Sequence, residues 1–461
     1  MQRSYKLVAA CLSAALLAAC GGSSALSPSL SSAGGTLPMG RRLVNAGAPA
    51  HETVLYAFKG APDAAFPYGG LLAGKHGEFY GVSNGGGTVG PSGLVDGTVY
   101  KISSTGQEKV MYSFQGGNDG AGSEAGLIAD AAGNMYGTTQ AGGGSGACTD
   151  GCGTVFEMQP KGAGFTERVL HGFKAGTDGA LPLANLLRGK NGVLYGTTSY
   201  GGGTGCSTTS GLAGCGTVFS LTPSGSGYTE KVLYRFKGGK DGEAPRATLI
   251  SDGKGFLYGT TEFGGKSESA CDKSPSGNTT CGTVFKLSSS GKKTIIYQFN
   301  GGTRDGSNPR SALLLASNGT FYGLTVFGGA ASLGGGTAYS LTPSGKKYTE
   351  SVIHFFAQAS ADGARPDDAD GLSVDSSGNF YGTTSASTIS PCGCGTVFEL
   401  SHTKSGYTET DLHDFQANGD GAVPFSSVTI QNDVIYGTTF EGGGYCYGSS
   451  SSCGVVYRVK P

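Results

Sequence analysis

Cysteine is the first residue type whose spacing in this chain suggests chemistry. Apart from Cys11 and Cys20, ten cysteines occur as close pairs, one pair in each of five sequence repeats. The pairs are Cys148/Cys152, Cys206/Cys215, Cys271/Cys281, Cys392/Cys394 and Cys446/Cys453. A zinc site needs four ligands within tetrahedral reach, and each pair supplies two sulfurs with no regularly placed histidine. We therefore predict five disulfides, each within one long surface loop of an exported protein.

Aspartates that precede glycine are a second candidate for a functional site, because a ring of carboxylates could line a channel. They are Asp63, Asp119, Asp178, Asp241, Asp305, Asp362 and Asp420. Asp-Gly is also typical of a tight turn in which the Asp binds its own backbone, and we favour that interpretation. One turn adds Asp367, Asp368 and Asp370, a weak Ca²⁺ candidate. These three lack the other ligands of a known calcium loop, so we favour a solvated acidic loop and predict no metal or other cofactor.

Three histidines are candidate general bases. His171, His354 and His413 each occupy a strand position that is tyrosine in other repeats, such as Tyr56 and Tyr234. No nucleophile or carboxylate accompanies them locally in the sequence. We interpret them as aromatic strand residues and predict no catalytic residue.

Aromatic side chains could stack against sugar rings, and with no Trp in the chain only Tyr and Phe can do so. The candidates lie just after a recurrent Tyr-Gly block, at the base of the cysteine loops, or further along one loop. They are Tyr200, Phe263, Phe327, Phe440, Tyr445 and Tyr447. Loops on a rigid scaffold often carry binding residues. The alternative is that these rings only pack the loops.

Internal repeats must position all these residues. Tyr-Gly recurs seven times at similar intervals along the chain, and a Gly-Thr-Val-Phe block or a near variant follows each copy. A strand ending in aromatic-x-Phe and an Asp-Gly-x-x-Pro turn complete the repeat. In the third repeat we predict strands over 183–187, 193–198, 216–222 and 228–236. Four strands repeated seven times predict an all-β protein, a seven-bladed β-propeller with four-stranded blades.

The phase of the repeats predicts how the ring closes. The repeat region begins near residue 53 with a fourth-strand block and ends at residues 454–460 with a third-strand block. We expect the N-terminal strand to complete the last blade, which removes the exposed edges that an open solenoid would present. In such a blade, the cysteine loops and the Asp-Gly-x-x-Pro turns emerge on the same face of the ring.

These blocks resemble the choice-of-anchor tandem repeat GloVer-containing protein family. The resemblance rests on Tyr-Gly-Thr-Thr, Gly-Thr-Val-Phe and Asp-Gly-x-x-Pro, and it covers nearly all of residues 51–461. It implies repeats of the β-propeller type on an envelope-anchored bacterial protein. The family has no assigned biochemical activity to carry over, so the resemblance implies no substrate.

The first fifty residues are predicted to be an export and anchoring segment. Arg3 and Lys6 precede an apolar run that ends Leu17-Ala18-Ala19-Cys20, similar to the lipobox of bacterial lipoproteins. We predict a signal peptide over residues 1–20, lipidation of Cys20, a flexible tether over 21–50 and the propeller over 51–461. No Asp follows Cys20, which in such lipoproteins goes with the outer membrane.

The charge balance and the repeats together limit the function. With 32 basic and 33 acidic residues, the chain lacks the basic surface expected of a nucleic-acid partner. We favour a non-catalytic extracytoplasmic binding module, held at the membrane by its N-terminal lipid, whose partner is a glycan or an envelope protein. The alternatives are a propeller lyase or hydrolase acting at the channel mouth, with Glu124 as one candidate, and a structural envelope protein.

Overall fold

The computed structural model describes residues 51–461 apart from short gaps. The residues not described are 1–50, 91–92, 94, 145, 163, 204, 208–211, 267–270, 272–276, 278–279, 330–333, 357–361, 368–369, 388–391, 405 and 447–451. The described part is all-β, with two 3₁₀ turns at Lys190–Gly192 and Gly239–Asp241. It contains no helix of the length and apolarity needed to cross a membrane.

Seven antiparallel four-stranded sheets form a β-propeller, which confirms the predicted fold class. From the axis outwards, the strands are Leu72–Ala73, Phe79–Gly86, Thr98–Ile102 and Glu108–Ser113 in blade 1; Ile128–Ala129, Met135–Thr139, Thr154–Lys161 and Gly164–Gly172 in blade 2; and Leu187–Arg188, Leu194–Thr198, Thr217–Ser224 and Gly227–Arg235 in blade 3. Blades 4 and 5 contain Ile250–Ser251, Phe256–Thr261, Thr283–Ser288 and Lys293–Gln298, then Leu314–Leu315, Phe321–Thr325, Thr337–Ser344 and Lys347–Phe355. Blade 6 contains Ser373–Val374, Phe380–Thr384, Thr396–Thr403 and Gly406–Asp414, and blade 7 contains Thr429–Gln431, Val434–Tyr445, Ser452–Lys460 and His51–Ala57.

Short two-stranded ladders hold the turns that lead into the blades. Residues of the Asp-Gly-x-x-Pro turn pair with the residues after the second strand, as Gly179 does with Gly201. The strands of these ladders are Gly120–Ala121, Ala141–Gly142, Gly179–Ala180, Tyr200–Gly201, Gly306–Ser307, Phe327–Gly328, Gly363–Ala364 and Ala386–Ser387. In blade 1 the corresponding strand, Ala64–Pro67, pairs directly with Phe79–Gly86 and is a fifth strand of that sheet. The turns and the cysteine loops therefore share a face, as predicted.

The N-terminal strand closes the ring. His51–Ala57 pairs antiparallel with Ser452–Lys460, with Glu52 opposite Val459 and Val54 opposite Tyr457. This is the predicted closure. The innermost strands are shorter than predicted, since only Leu187–Arg188 pairs in the ladder of blade 3. One reason is that a neighbouring blade binds the preceding backbone: the Thr138 hydroxyl donates to the Ala184 carbonyl at 3.3 Å.

The two glycine motifs exist because neighbouring atoms leave no room for a side chain. A Cβ on Gly196 of the Tyr-Gly block would lie 2.5 Å from the buried Phe219 ring. Gly216, which opens the third strand, has φ +96°, and a Cβ there would lie 2.6 Å from Pro245 Cδ of the next blade. The equivalent glycines have similar surroundings, so the repeated Gly, Phe and Pro positions specify one packing arrangement.

Aromatic pairs fill the junctions between blades, which we call seams. The Phe that follows each fourth strand packs edge-on against the third-strand ring of the next blade, as in Phe173–Phe219 with centroids 5.1 Å apart. The ring-closing seams have the same pair, Phe415–Tyr457 at 5.1 Å and Phe58–Tyr100 at 4.9 Å. Burying one such ring contributes about 1.5–3 kcal/mol, so the seams supply a large part of the apolar core.

Candidate functional site

One residue of the Asp-Gly-x-x-Pro turn has a left-handed backbone conformation in every repeat. In blade 3, Leu181 has a left-handed φ of +56°. Its N–H donates to the Cys152 carbonyl at 2.9 Å, and its carbonyl accepts from the Ser199 N–H at 3.0 Å. The same positive φ recurs at Phe66, Gly122, Ala244, Asn308, Arg365 and Val423. A non-glycine residue rarely keeps this conformation, so sevenfold repetition marks a turn that the surrounding hydrogen bonds enforce.

The residues that follow these turn prolines, or Ser123 in blade 2, define what we call the channel mouth. They are Tyr68, Glu124, Leu183, Arg246, Arg310, Asp367 and Phe425. All but Phe425 line one small depression with a cavity volume of about 20 Å³. The scaffold position is equivalent in every blade, yet the side chains include two cations, two carboxylic acids, two aromatics and one aliphatic residue. Such variety at one constant position is typical of a binding surface.

Ion pairs occupy the part of the channel mouth formed by blades 4 to 6. Arg310 binds Glu262 through Nε at 2.9 Å and Nη2 at 2.7 Å, and Asp367 through Nη1 at 2.6 Å. Burial alone would raise the pKa of Glu262, but Arg310 and Arg246 hold it below its usual range. The side chains of Arg246, Arg310 and Asp367 are still 19%, 17% and 13% exposed. They are held in place and can also be reached from solvent.

Aromatic rings occupy the opposite part, formed by blades 7 and 1. Tyr68 stacks on Phe425 with centroids 4.8 Å apart and an interplanar angle of 15°. Phe440 meets both rings edge-on, at 5.9 Å and 5.8 Å, and contacts Phe66 at 5.2 Å. The mouth thus places an aromatic group facing an ionic group, an arrangement suited to a ligand with both an apolar face and polar groups.

A polar floor lies deeper along the axis. Asp370 of blade 6 accepts hydrogen bonds from the hydroxyls of Thr248 in blade 4 at 3.2 Å and Ser427 in blade 7 at 3.4 Å. A Cβ on Gly70 of blade 1 would lie 3.1 Å from the same carboxylate. Burial raises the pKa of Asp370. Atoms from four blades meet here, so the Asp370 carboxylate connects the inner edges of these blades.

The predicted aromatic residues have different surroundings. Tyr200 is partly exposed and borders the ionic part, where burial raises its pKa. Phe263 is only 8% exposed and pairs by backbone with Glu243, so it packs the loop. Phe327 lies under Arg365, whose guanidinium is 5.6 Å from the ring centroid.

Of the remaining aromatic candidates, Phe440 belongs to the aromatic part of the mouth. Tyr445 ends the second strand of blade 7 opposite Ser452. Its side chain and the whole of Tyr447 lie outside the described residues, so a binding role for these two tyrosines remains a prediction.

Of the three acids in the weak calcium candidate, the two that the structure describes make different contacts. Asp367 is held by Arg310 at the mouth, and Asp370 forms part of the floor. Asp368 lies outside the described residues. The two described carboxylates therefore bind different groups of this protein.

The aspartates before glycine act in turns, as predicted, and also in the seams. Asp305 accepts the backbone N–H of Gly306 at 2.7 Å and of Asn300 at 2.8 Å, and the Tyr297 hydroxyl at 2.9 Å. At three seams a histidine replaces this tyrosine: His171, His354 and His413 lie 3.3, 3.6 and 3.3 Å from their aspartates. Burial lowers the pKa of His413, and Asp420 opposes that shift.

Each seam also contains an ionisable residue from the fourth strand of the following blade. It is a glutamate at six seams and Lys293 at the seventh, where Lys293 Nζ lies 2.9 Å from Asp241. The six seam glutamates are Glu52, Glu108, Glu167, Glu230, Glu350 and Glu409. Burial, together with a nearby aspartate, raises the pKa of every one of them. His354, Asp362 and Glu409 come within metal-binding reach, but they occupy the same three positions as the residues of the other seams, so the repeat explains their proximity.

The predicted disulfide pairing is confirmed. Five bridges join the paired cysteines within their own repeats, with Cα–Cα distances of 5.0 to 5.3 Å. They are Cys148–Cys152, Cys206–Cys215, Cys271–Cys281, Cys392–Cys394 and Cys446–Cys453. Five disulfides indicate an oxidising, extracytoplasmic compartment.

The placement of the second cysteine of each pair differs from the prediction of a surface loop. Cys394 and Cys453 are only 6% and 0% exposed, and the second cysteines of the other three pairs are equally buried. Cys453 lies inside the strand Ser452–Lys460, opposite Gly444. The reason is that this position contacts the next blade: the Cys394 carbonyl accepts the N–H of Val423 at 2.8 Å. Each bridge therefore ties a surface loop to a buried seam.

Reasoning from the sequence missed most of the channel mouth and all of the seam glutamates. A signal for the mouth was present: within the constant Asp-Gly-x-x-Pro block, the next residue changes type from repeat to repeat. A signal for the seams was also present, because Thr-Glu recurs within the fourth strand in four repeats, as at Glu230 and Glu350.

Comparison with known sequences decides the family. The Gloeobacter/Verrucomicrobia repeat model matches residues 42–209 and 273–461, well over half of the chain. The chain belongs to this repeat family. The finding agrees with the resemblance seen in the Tyr-Gly and Gly-Thr-Val-Phe blocks. No curated protein matches the chain.

Solved structures provide distant matches. A protein from Lactobacillus plantarum is 12% identical, with a TM-score of 0.46 over 79% of this chain and 95% of that one. A ulvan lyase is 12% identical, with a TM-score of 0.43 over 89% and 95%. A gluconolactonase from Xanthomonas campestris is 11% identical, with a TM-score of 0.38 over 89% of each chain. At these values, none of the three assigns an activity or a substrate to this chain.

Proposed function

We propose that this protein is a non-catalytic, extracytoplasmic binding module whose channel mouth holds a glycan. The observation that carries the proposal is the composition of the mouth, where seven equivalent scaffold positions present differing side chains and six of them surround one small depression. The stacked pair Tyr68 and Phe425 offers an apolar face to a sugar ring, and the ionic side chains opposite offer partners for hydroxyl groups.

Glycan binding by residues 51–461 tests this proposal. We expect signal on a glycan array from the unmodified domain and a loss of about tenfold in affinity for Phe425→Ala and Phe440→Ala, since stacking on one aromatic ring is worth on the order of 1 kcal/mol. Phe165→Ala is the matched control, because Phe165 lies at the start of the fourth strand of blade 2 on the opposite face. Full binding by both mouth variants would contradict the proposal.

The same samples test the enzymatic alternative. Burial raises the pKa of Glu124, and such a carboxyl could act as an acid catalyst. If the mouth only binds, mass spectrometry of the incubated glycans will find them intact. Shortened or unsaturated products that vanish with Glu124→Gln would replace the binding module with an enzyme.

We extend the proposal to the anchor. Lipidation of Cys20, with residues 21–50 as a tether, would place the disulfide-bonded propeller at the outer membrane of the cell envelope. Incorporation of a clickable fatty acid into the full chain, and its loss in Cys20→Ser, is the expected result. An unlabelled protein released from the membrane fraction would refute the anchor.

A further inference from the structure

Arg246 is the cation of the channel mouth that the protein itself uses least. Its Nη1 lies 3.5 Å from Glu262 Oε2, at the limit of a hydrogen bond. Glu262 is instead held by two short contacts from Arg310. Within the described part of the chain, Arg246 makes no other ion pair. A guanidinium has five N–H donors in a planar fork, so most of this fork is available at the depression.

The two arginines of the channel mouth differ in the number of carboxylates that they bind closely. Arg310 faces two carboxylates, Glu262 and Asp367, at 2.7 and 2.6 Å. Arg246 shares Glu262 from a greater distance, and the other carboxyl group that interacts with it is Glu124, whose pKa burial raises. Removing Arg246 should therefore leave the ion pairs of Arg310 in place, whereas removing Arg310 would leave Glu262 and Asp367 without their main partner.

Resting on the binding function proposed above, we infer that the ligand is an acidic glycan whose anionic group is bound by Arg246. The fork of Arg246 fits the two oxygens of a carboxylate, and it also fits a sulfate ester. The stacked rings of Tyr68 and Phe425 lie across the mouth from Arg246, so one sugar ring can contact the aromatic face while its acid group reaches the guanidinium. A uronic acid carries its carboxylate on the carbon attached directly to the sugar ring, so it meets both requirements.

Calorimetric titration with matched oligosaccharides tests this inference. The probes are trigalacturonate, its methyl ester, neutral galactotriose and a sulfated galactotriose, each added to residues 51–461. We expect trigalacturonate to bind at least about tenfold more tightly than its methyl ester, as a charge-assisted bidentate contact would produce. Tighter binding of the sulfated probe would assign the anion as a sulfate instead, with Arg246 still its partner.

Variants separate recognition by Arg246 from a structural role. Arg246→Gln should abolish the preference for the acid over its methyl ester and leave the melting temperature unchanged. Arg246→Lys should retain part of the preference because it keeps the charge without the fork. Arg188→Gln, an exposed arginine at the opposite end of the innermost strand of blade 3, is the control that should behave as the unmodified protein.

The outcomes distinguish the two proposals. Equal binding of acid and ester by the unmodified protein, or a preference that survives in Arg246→Gln, overturns the acidic ligand and leaves glycan binding intact. Failure of all four probes, together with an array on which no glycan binds, overturns the binding function itself. A melting temperature lowered in Arg246→Gln as much as in Arg310→Gln would show that Arg246 is a structural residue.

Discussion

Replacing Glu350 with Gln should stabilise this protein at pH 8 and leave its stability nearly unchanged at pH 4.5. Glu350 lies in the seam between blades 4 and 5, where its Oε1 is buried without a hydrogen-bond partner. Burial, with repulsion from Asp305 adding to it, raises the pKa of Glu350 from 4.5 to about 7. A glutamine keeps the shape of the side chain and cannot ionise.

The size of the effect follows from the pKa. A pKa of about 7 in the folded protein against 4.5 in the unfolded chain corresponds to about 3 kcal/mol once the group is fully ionised. The side chain is partly exposed, and screening by solvent reduces this to about 1.5 kcal/mol. The folded state binds the proton more tightly, so stability is greatest at low pH, falls as the pH rises from 4.5 through 7, and is constant above.

Urea denaturation at pH 4.5 and pH 8.0 measures this difference. We expect Glu350→Gln to gain about 1.5 kcal/mol in unfolding free energy at the higher pH and close to zero at the lower. Lys293→Gln is the matched comparison, because the seam of Lys293 already pairs a cation with Asp241. It should lose stability at pH 8.0. An equal gain for Glu350→Gln at both pH values, or no gain at pH 8.0, would show that ionisation of Glu350 does not lower the stability of the folded protein.

Three other changes test the packing that positions the site. Gly196→Ala should cost at least about 3 kcal/mol in unfolding free energy, because its Cβ would enter the buried Phe219 ring; wild-type stability in urea would contradict the role of this glycine. Deleting residues 51–57 should produce aggregates or strand-exchanged oligomers on size-exclusion chromatography, since it exposes the edge of Ser452–Lys460; a stable monomer would refute the closure. Serine at both Cys206 and Cys215 should lower the unfolding free energy by about 2–3 kcal/mol, as measured in urea, and an unchanged value would show that the loop is held by other contacts.

The fold could be predicted from the sequence because its signals are local and repeated. Gly196 and Gly216 recur with their blocks in every repeat, and each block specifies a strand and its neighbour. The unmatched fourth-strand block near residue 53 was enough to predict closure. Disulfide pairing also followed from the sequence, because both partners lie close together in one repeat. The burial of Cys394 and Cys453 did not follow, since the contacts that bury them come from the next blade.

The channel mouth depended on tertiary structure. Tyr68 and Phe425 stack although they lie near opposite ends of the repeat region, since only the closed ring brings blades 7 and 1 together. The sequence grouped Asp367 with Asp370 as neighbours. The structure places one against Arg310 at the mouth and the other beside Thr248 and Ser427, because the partners of each come from different blades.

The number of blades, the order of their strands, the closure and the disulfide pairs could therefore all be predicted from the sequence. Which side chains from distant repeats meet could be seen only in the folded ring. Equivalent positions in successive repeats converge on one axis only when every seam has formed. The physical reason is that local backbone preferences and short-range spacing fix each blade, whereas the site is made by contacts between blades.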